Sequence, residues 1–178
     1  MTHRRFVVFY ALSMALIVAV GGFKLLNGPA RQLEAILVLG ALRPMGDRAS
    51  VVNDHFFQLL PPGQLAFRAQ LTPYCSSLIP ILALACIGFF ILHGTWLRRG
   101  VAVGAAAALV LVCNVARISG SLWMGYEFGG NALVLFHDWI GTLFALIYTM
   151  AGFFLMLYLL LPTATAKIPR AARVSDVL

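Results

Sequence analysis

The residue best suited to do chemistry is Cys75, which lies in a polar, turn-prone run just before a long apolar segment. A cysteine attacks as its thiolate, so the usual thiol pKa of about 8.5 must be lowered by a helix N-terminus or a neighbouring cation. The apolar segment predicts a helix, and its first amides, near residues 77–79, would carry partial positive charge. Cys75 is therefore the predicted nucleophile.

Arg117 and His137 could complete such a site. A histidine can take the thiol proton and return it to a leaving amine. A guanidinium stays protonated and cannot be a base, so Arg117 is the predicted donor to the oxyanion of a tetrahedral intermediate. Asn114 precedes Arg117 by three positions, on the same predicted helical face, and favours a polar site there. Together these residue types predict acyl transfer by a cysteine.

Neighbouring polar residues are predicted to support the site. Asp138 follows His137, but consecutive positions of a helix diverge by about 100°, so a direct pair is not expected. Glu127 or the Asn114 amide is expected to orient the imidazole instead. Further supporting or substrate-binding residues are predicted close to Cys75 in the sequence: Ser76, Tyr74, Arg68 and His55.

Each candidate also has a simpler interpretation. An isolated cysteine near a membrane helix often only packs, and we keep this interpretation for Cys86 and Cys113. Arg117 could extend to the lipid headgroups, and His137 could cap a helix. Cys113 lies one turn deeper than Arg117, where burial disfavours a thiolate, so Cys75 is the better nucleophile. Three cysteines without C-x-x-C spacing predict neither a disulfide framework nor a metal site, and no cofactor is expected.

The composition is that of an integral membrane protein. Of 178 residues, 61% are hydrophobic and 11% are charged, whereas roughly a quarter are charged in soluble proteins. The net charge of +7 does not indicate nucleic acid, because the Lys and Arg residues lie scattered at the ends of apolar runs. We predict an all-α protein whose single membrane domain, residues 1–178, contacts the lipid bilayer and no nucleic acid.

The apolar runs predict four membrane-spanning helices with both chain termini in the cytoplasm. Arg4 and Arg5 place the start of the first helix inside, and Arg98 and Arg99 return the chain to that side. A Gly-rich outer connection is expected over residues 119–131. The predicted spans are residues 6–26, 78–97, 101–118 and 133–161, followed by a cytoplasmic tail at residues 162–178.

The segment between the first two spans, residues 27–77, is predicted to be extracytoplasmic. Its apolar stretch at residues 33–42 is too short to cross a bilayer, so an interfacial or re-entrant helix is expected there. Residues 51–60 and 65–71 look extended and are separated by Pro61-Pro62-Gly63, a strong turn signal. A small hairpin is therefore expected to lead into Cys75.

This topology places the three candidate residues at one depth. Arg117 is 17 residues beyond Gly100 and is therefore about 25 Å along its helix. Cys75 and His137 fall near the outer starts of their helices. We expect all three to meet at the outer rim of the helix bundle.

The ordered set of motifs resembles the exosortase/archaeosortase family of membrane transpeptidases. The resemblance rests on Cys75-Ser76 at the outer start of a helix, on Asn114-Val115-Ala116-Arg117 ending a later helix, and on His137 beginning the next. It covers residues 65–154, about half of the chain. The sequence departs from the family pattern at Ser77, where members commonly have Gly, and has room for fewer helices than many members.

The resemblance implies a short, core-only cysteine transpeptidase or protease in which Cys75, Arg117 and His137 are catalytic. Implied substrates are membrane-anchored proteins with a C-terminal sorting signal, made of a short motif, one transmembrane helix and a basic end. The implied location is the prokaryotic cytoplasmic membrane, crossed several times, with the active site facing outward. The alternative is a non-enzymatic membrane subunit, such as a small transporter or an assembly factor for exported polysaccharide, in which Arg117 and His137 line a polar pathway.

Overall fold

The computed structural model describes residues 2–44, 49–52, 56–61, 66–91 and 95–161. Within these ranges a 3-10 turn, Pro73–Cys75, precedes the second helix. One π-helical segment, Ile87–Ile91, extends that helix, and another, Phe136–Ile140, joins the last two helices. The helices and strands follow in the order α1 (Thr2–Ala41), β1 (Ala49–Val52), β2 (Phe56–Leu59), β3 (Phe67–Gln70), α2 (Leu78–Cys86), α3 (Trp96–Phe128), α4 (Gly130–Leu135) and α5 (Gly141–Leu160).

The described part of the chain is mostly helical and contains three helical stretches long and apolar enough to cross a membrane, Ser13–Ala41, Trp96–Phe128 and Gly130–Leu160. The helical content and the three apolar helices are consistent with the predicted all-α membrane protein, although the described residues also include three strands. The predicted second span, residues 78–97, is different: its apolar helix covers only Leu78–Phe90, and Trp96 already begins α3. Residues 92–94 and the tail at residues 162–178 lie outside the described ranges.

α1 is one continuous helix through Pro29. The prediction of a helix end near Asn27 and a separate helix over residues 33–42 is therefore wrong. Polar residues suggested that break, but Ala35 and Val38 are almost completely buried in a hydrophobic cluster with the sheet. Burial of this apolar stripe stabilises the continued helix, although proline removes an amide donor from it.

α3 also extends further than predicted, because it continues to Phe128. The Gly-rich connection expected over residues 119–131 is therefore mostly helix, and the break between α3 and α4 is reduced to Gly129 with φ 87°. Ile118 and Leu122 are buried against the sheet, and this packing outweighs the weak helix propensity of the Gly and Ser residues there.

The predicted hairpin belongs to a three-stranded antiparallel sheet with the strand order β1-β2-β3. Phe57 of β2 is opposite both Val51 of β1 and Ala69 of β3. The run at residues 51–60 is thus divided between two strands rather than forming one. His55 and most of the expected Pro61-Pro62-Gly63 turn lie outside the described residues.

The helix bundle has two hydrophobic clusters with polar residues between them. One cluster joins the sheet to the C-terminal parts of α1 and α3. The other joins α2, the N-terminal half of α3 and α5. Along α3, Val110 belongs to the second cluster and Ile118 to the first, while the buried polar side chains of Asn114 and Arg117 lie between them. The fold therefore places a polar layer between the two hydrophobic clusters.

Candidate active site

Cys75 ends the 3-10 turn between β3 and α2. Its backbone amide donates to the Thr72 carbonyl at 3.0 Å, and its carbonyl accepts from Asn114 Nδ2 at 2.9 Å. Pro73 suits the start of this turn, because the backbone amide that a proline lacks would have no hydrogen-bond partner there. Hydrogen bonds at both its amide and its carbonyl therefore hold Cys75, the residue that carries the thiol.

His137 lies beside the thiol. Its Nε2 atom is 3.2 Å from Cys75 Sγ. Thr72 Oγ1 is 3.1 Å from the same sulfur, a contact that sequence reasoning missed although Thr72 is only three positions away. The π-helical segment Phe136–Ile140 presents the imidazole between α4 and α5. The sulfur thus has a nitrogen base on one side and a hydroxyl on the other.

Asp138 pairs directly with His137, with 2.9 Å between Oδ1 and Nδ1. The expectation that these neighbours would point apart, with Glu127 or Asn114 orienting the ring, is wrong. It assumed an α-helix, whereas both residues lie in a π-helical segment in which their side chains meet. Because a carboxylate can only accept hydrogen bonds, Asp138 favours the proton on Nδ1 and leaves the Nε2 lone pair facing the sulfur.

Arg117 approaches the same histidine nitrogen. Its side chain is only 8% exposed, with Nη2 3.5 Å from His137 Nε2 and Nη1 donating to Asn114 Oδ1 at 3.5 Å. Tyr148 on α5, which sequence reasoning missed, donates to that same Asn114 oxygen at 2.9 Å. Asn114 therefore links the guanidinium to the carbonyl of Cys75.

Glu34 of α1 is a buried member of this network that sequence reasoning also missed. Its Oε1 atom accepts from the amide of Ser77 at 2.7 Å, from the Ser77 hydroxyl at 2.5 Å and from Asn114 Nδ2 at 3.3 Å. Its only signal in the sequence is a carboxylate inside an apolar stretch.

The pKa of Cys75 falls from 9.0 to about 7. Burial of the thiol opposes ionisation, but hydrogen bonds with His137 and Thr72 and the charge of His137 together outweigh it. The first amides of α2 were expected to stabilise the thiolate. Two of them have other partners, because the Ser77 amide donates to Glu34 and the Leu78 amide donates to Ser76 Oγ. The thiolate is therefore stabilised mainly by the His137 and Thr72 side chains, with a smaller contribution from a Thr72 backbone hydrogen bond.

The predicted supporting residues occupy different places. Ser76 is buried, and its Oγ atom accepts from the Leu78 amide at 3.2 Å, just before α2 begins. Tyr74 is 89% exposed and lines a separate groove of about 620 Å³ between α1 and α2. Arg68 is on the exposed side of β3. The structure does not bring Tyr74 or Arg68 to the thiol.

A pocket of about 220 Å³ opens at the thiol. One side of the pocket is formed by β3 and the residues that follow it. The other side is formed by α3, α4 and the π-helical segment. The pocket wall is mostly apolar and includes Cys75 and His137. The lining residues are Phe57, Ala69, Gln70, Leu71, Thr72, Cys75, Ile118, Ser121, Leu122, Leu133 and His137.

The remaining thiols lie elsewhere. Cys86 Sγ donates to the Ala15 carbonyl at 3.4 Å, between α2 and α1, and Cys113 packs against the cluster of α2, α3 and α5. Among the described residues, no group of three or more His, Cys, Asp or Glu side chains could hold a metal ion. His93 lies outside the described residues.

Comparison of the chain with protein-family models, curated proteins and solved structures finds no match in any of the three.

Proposed function

We propose that the protein is a membrane-embedded cysteine transpeptidase or protease. The observation that carries this proposal is the 3.2 Å contact between Cys75 Sγ and His137 Nε2, with Asp138 at the other ring nitrogen. A nucleophile, a base and a group that orients the base are the components of covalent acyl transfer. The low pKa of Cys75, about 7, supports a thiolate at neutral pH.

In the proposed reaction, Cys75 passes its proton to His137 Nε2, and the sulfur attacks the carbonyl carbon of a substrate peptide bond. The carbonyl π electrons move to the oxygen and form a tetrahedral oxyanion. When that intermediate collapses, the C–N bond breaks and the leaving amine takes the proton from Nε2. An amine or a water molecule then attacks the thioester carbonyl carbon and gives a proton to His137 Nε2. The C–S bond breaks, and the Cys75 sulfur leaves as the thiolate and recovers the proton from Nε2, which completes transpeptidation or hydrolysis.

Arg117 is the proposed oxyanion donor. In the resting site, its Nη2 atom and the Cys75 thiol both approach the single lone pair of His137 Nε2. Once Nε2 takes the proton, that lone pair is used, so the guanidinium loses this acceptor and is available to the oxyanion that forms when the sulfur attacks. Stabilisation that develops only with the transition state is the kind that accelerates the chemical step.

The apolar pocket at the thiol is proposed to hold substrate residues beside the bond that is cut. We propose that the substrate is a protein anchored in the same membrane through a C-terminal sorting signal. Anchoring would raise the effective concentration of its cleavage motif at the depth of Cys75. The proposed location is the prokaryotic cytoplasmic membrane with the site outside, which the cytoplasmic assignment of Arg4 and Arg5 supports.

The test replaces Cys75 by Ala in the native host and compares membrane proteins by mass spectrometry. The expected result is a membrane-anchored protein that is C-terminally shortened in the wild type and accumulates uncut in the variant. Cys86→Ala is the matched control and should process normally. Normal processing by a membrane-inserted Cys75→Ala protein would exclude the enzyme and favour the non-enzymatic membrane subunit.

A further inference from the structure

The Glu34 carboxylate is buried in a way that the proposed mechanism does not explain. The residue is only 1% exposed, and its Oε2 atom is buried with no hydrogen-bond partner among the described residues. The other oxygen, Oε1, accepts three hydrogen bonds. Burying a carboxylate costs free energy unless its partners offset that cost. A role in holding those partners would account for its presence.

Two of the three donors belong to Ser77, two positions after Cys75. Its amide, at 2.7 Å from Oε1, stands at the start of α2, and its hydroxyl is bound by the same oxygen. Glu34 thus attaches the segment that leaves the nucleophile to α1, 43 positions earlier in the chain. Ser77 is also where the sequence departs from the Cys-Ser-Gly pattern, and a glycine there would lack the hydroxyl donor.

The third donor, Asn114 Nδ2, reaches the nucleophile from the other side. It lies 3.3 Å from Glu34 Oε1 and also donates to the Cys75 carbonyl at 2.9 Å. One carboxylate oxygen therefore fixes both the backbone after Cys75 and the amide that holds its carbonyl. Movement of either contact would change the distance between Cys75 Sγ and His137 Nε2.

We infer that Glu34 is a positioning residue, which holds Cys75 in contact with His137 through hydrogen bonds to Ser77 and Asn114. The inference builds on the proposed function, in which that contact activates the nucleophile. Glu34 itself acts as a hydrogen-bond acceptor for Ser77 and Asn114 and does not contact the thiol. A neutral side chain of the same shape that keeps an acceptor oxygen should therefore preserve the activation of the thiol.

The experiment measures alkylation of Cys75 by iodoacetamide against pH, with the full chain in lipid nanodiscs and with Cys86 and Cys113 replaced by Ala. In Glu34→Ala the midpoint of the alkylation profile should rise by one pH unit or more, which lowers the rate at pH 7 by about fivefold or more. Glu34→Gln should stay within about twofold of the parent, because its amide oxygen accepts the same hydrogen bonds. Glu127→Ala, at an exposed acidic residue, is the control and should change nothing.

A folded Glu34→Ala protein with the parent midpoint would overturn the inference, as would a Glu34→Gln protein as impaired as Glu34→Ala. If Glu34→Ala does not fold, Ser77→Gly decides the matter. Loss of one donor should raise its midpoint measurably, and an unchanged midpoint would count against the inference. Alkylation needs no substrate, so these outcomes are independent of whether Cys75→Ala blocks processing.

Discussion

The Nε2 atom of His137 lies 3.2 Å from the Sγ atom of Cys75, although 62 positions separate the two residues in the chain. The turn before α2 supplies the thiol, and the π-helical segment between α4 and α5 supplies the imidazole. Because Asp138 occupies the other ring nitrogen, the base is oriented from within its own segment.

Replacing His137 by Ala should change the pH at which Cys75 becomes reactive. The contact with His137 stabilises the thiolate, so alkylation of the wild-type thiol should rise with pH through about 7 and level off above it. Without the histidine, the midpoint should move towards 9.0. At pH 7 this reduces the thiolate from half to about one hundredth, so the rate should fall by up to roughly 50-fold. Equal midpoints in the two proteins would show that His137 does not activate the thiol.

Replacing Arg117 by Lys should separate oxyanion stabilisation from thiol activation. Lysine keeps the charge but lacks the planar fork that reaches both Asn114 and His137. Substrate processing should fall by about 10² to 10³-fold, the usual loss for one oxyanion donor. Alkylation of Cys75 at pH 7 should stay close to the wild-type rate. Equal losses in both assays would mean that Arg117 acts on the thiol instead.

Replacing Asp138 by Ala should weaken the base without removing it. The imidazole would lose the acceptor at Nδ1 that favours the reactive tautomer. Because Asp138 is 60% exposed, the loss in processing should be only about tenfold, less than the 10² to 10⁴-fold of general acid–base catalysis as a whole. Asp138→Asn keeps an acceptor oxygen and should lose less. Wild-type processing by Asp138→Ala would remove Asp138 from the mechanism.

Replacing Gly141 by Ala should displace Arg117. A Cβ atom at this position would lie 2.8 Å from Arg117 Nε, which is too close, and 3.2 Å from the Phe136 carbonyl oxygen, which is a tight contact. The variant should lose about 1–3 kcal/mol of stability, as overpacked sites do, and should process substrate more slowly. Thermal unfolding and processing are the two measurements.

Gly104→Ala is the matched control, because it also lies in a helix and a Cβ atom there meets nothing within 4 Å. It should be neutral or slightly stabilising, since alanine favours helix. A Gly141→Ala protein that behaved like this control would show that the guanidinium adapts at no cost.

Much of the helical architecture could be predicted because it depends on local properties. Apolar composition and the length of hydrophobic runs identify membrane helices before any contact is known. The ends of α1 and α3 were predicted less well, because their last turns are stabilised by packing against the sheet. Sequence periodicity describes a helix but does not reveal which distant surface will cover its end.

For the site, the residue types and their order along the chain already indicate the available chemistry: one thiol at a turn before an apolar helix, and one guanidinium and one imidazole near the ends of later predicted helices. Residue type fixes what can attack, what can accept a proton and what stays charged. The contact of Asp138 with the imidazole and the contact of Glu34 with the segment that follows Cys75 arise only in the folded protein. They depend on side-chain directions in the π-helical segment and on helix packing across 43 positions of chain, and spacing along a sequence specifies neither.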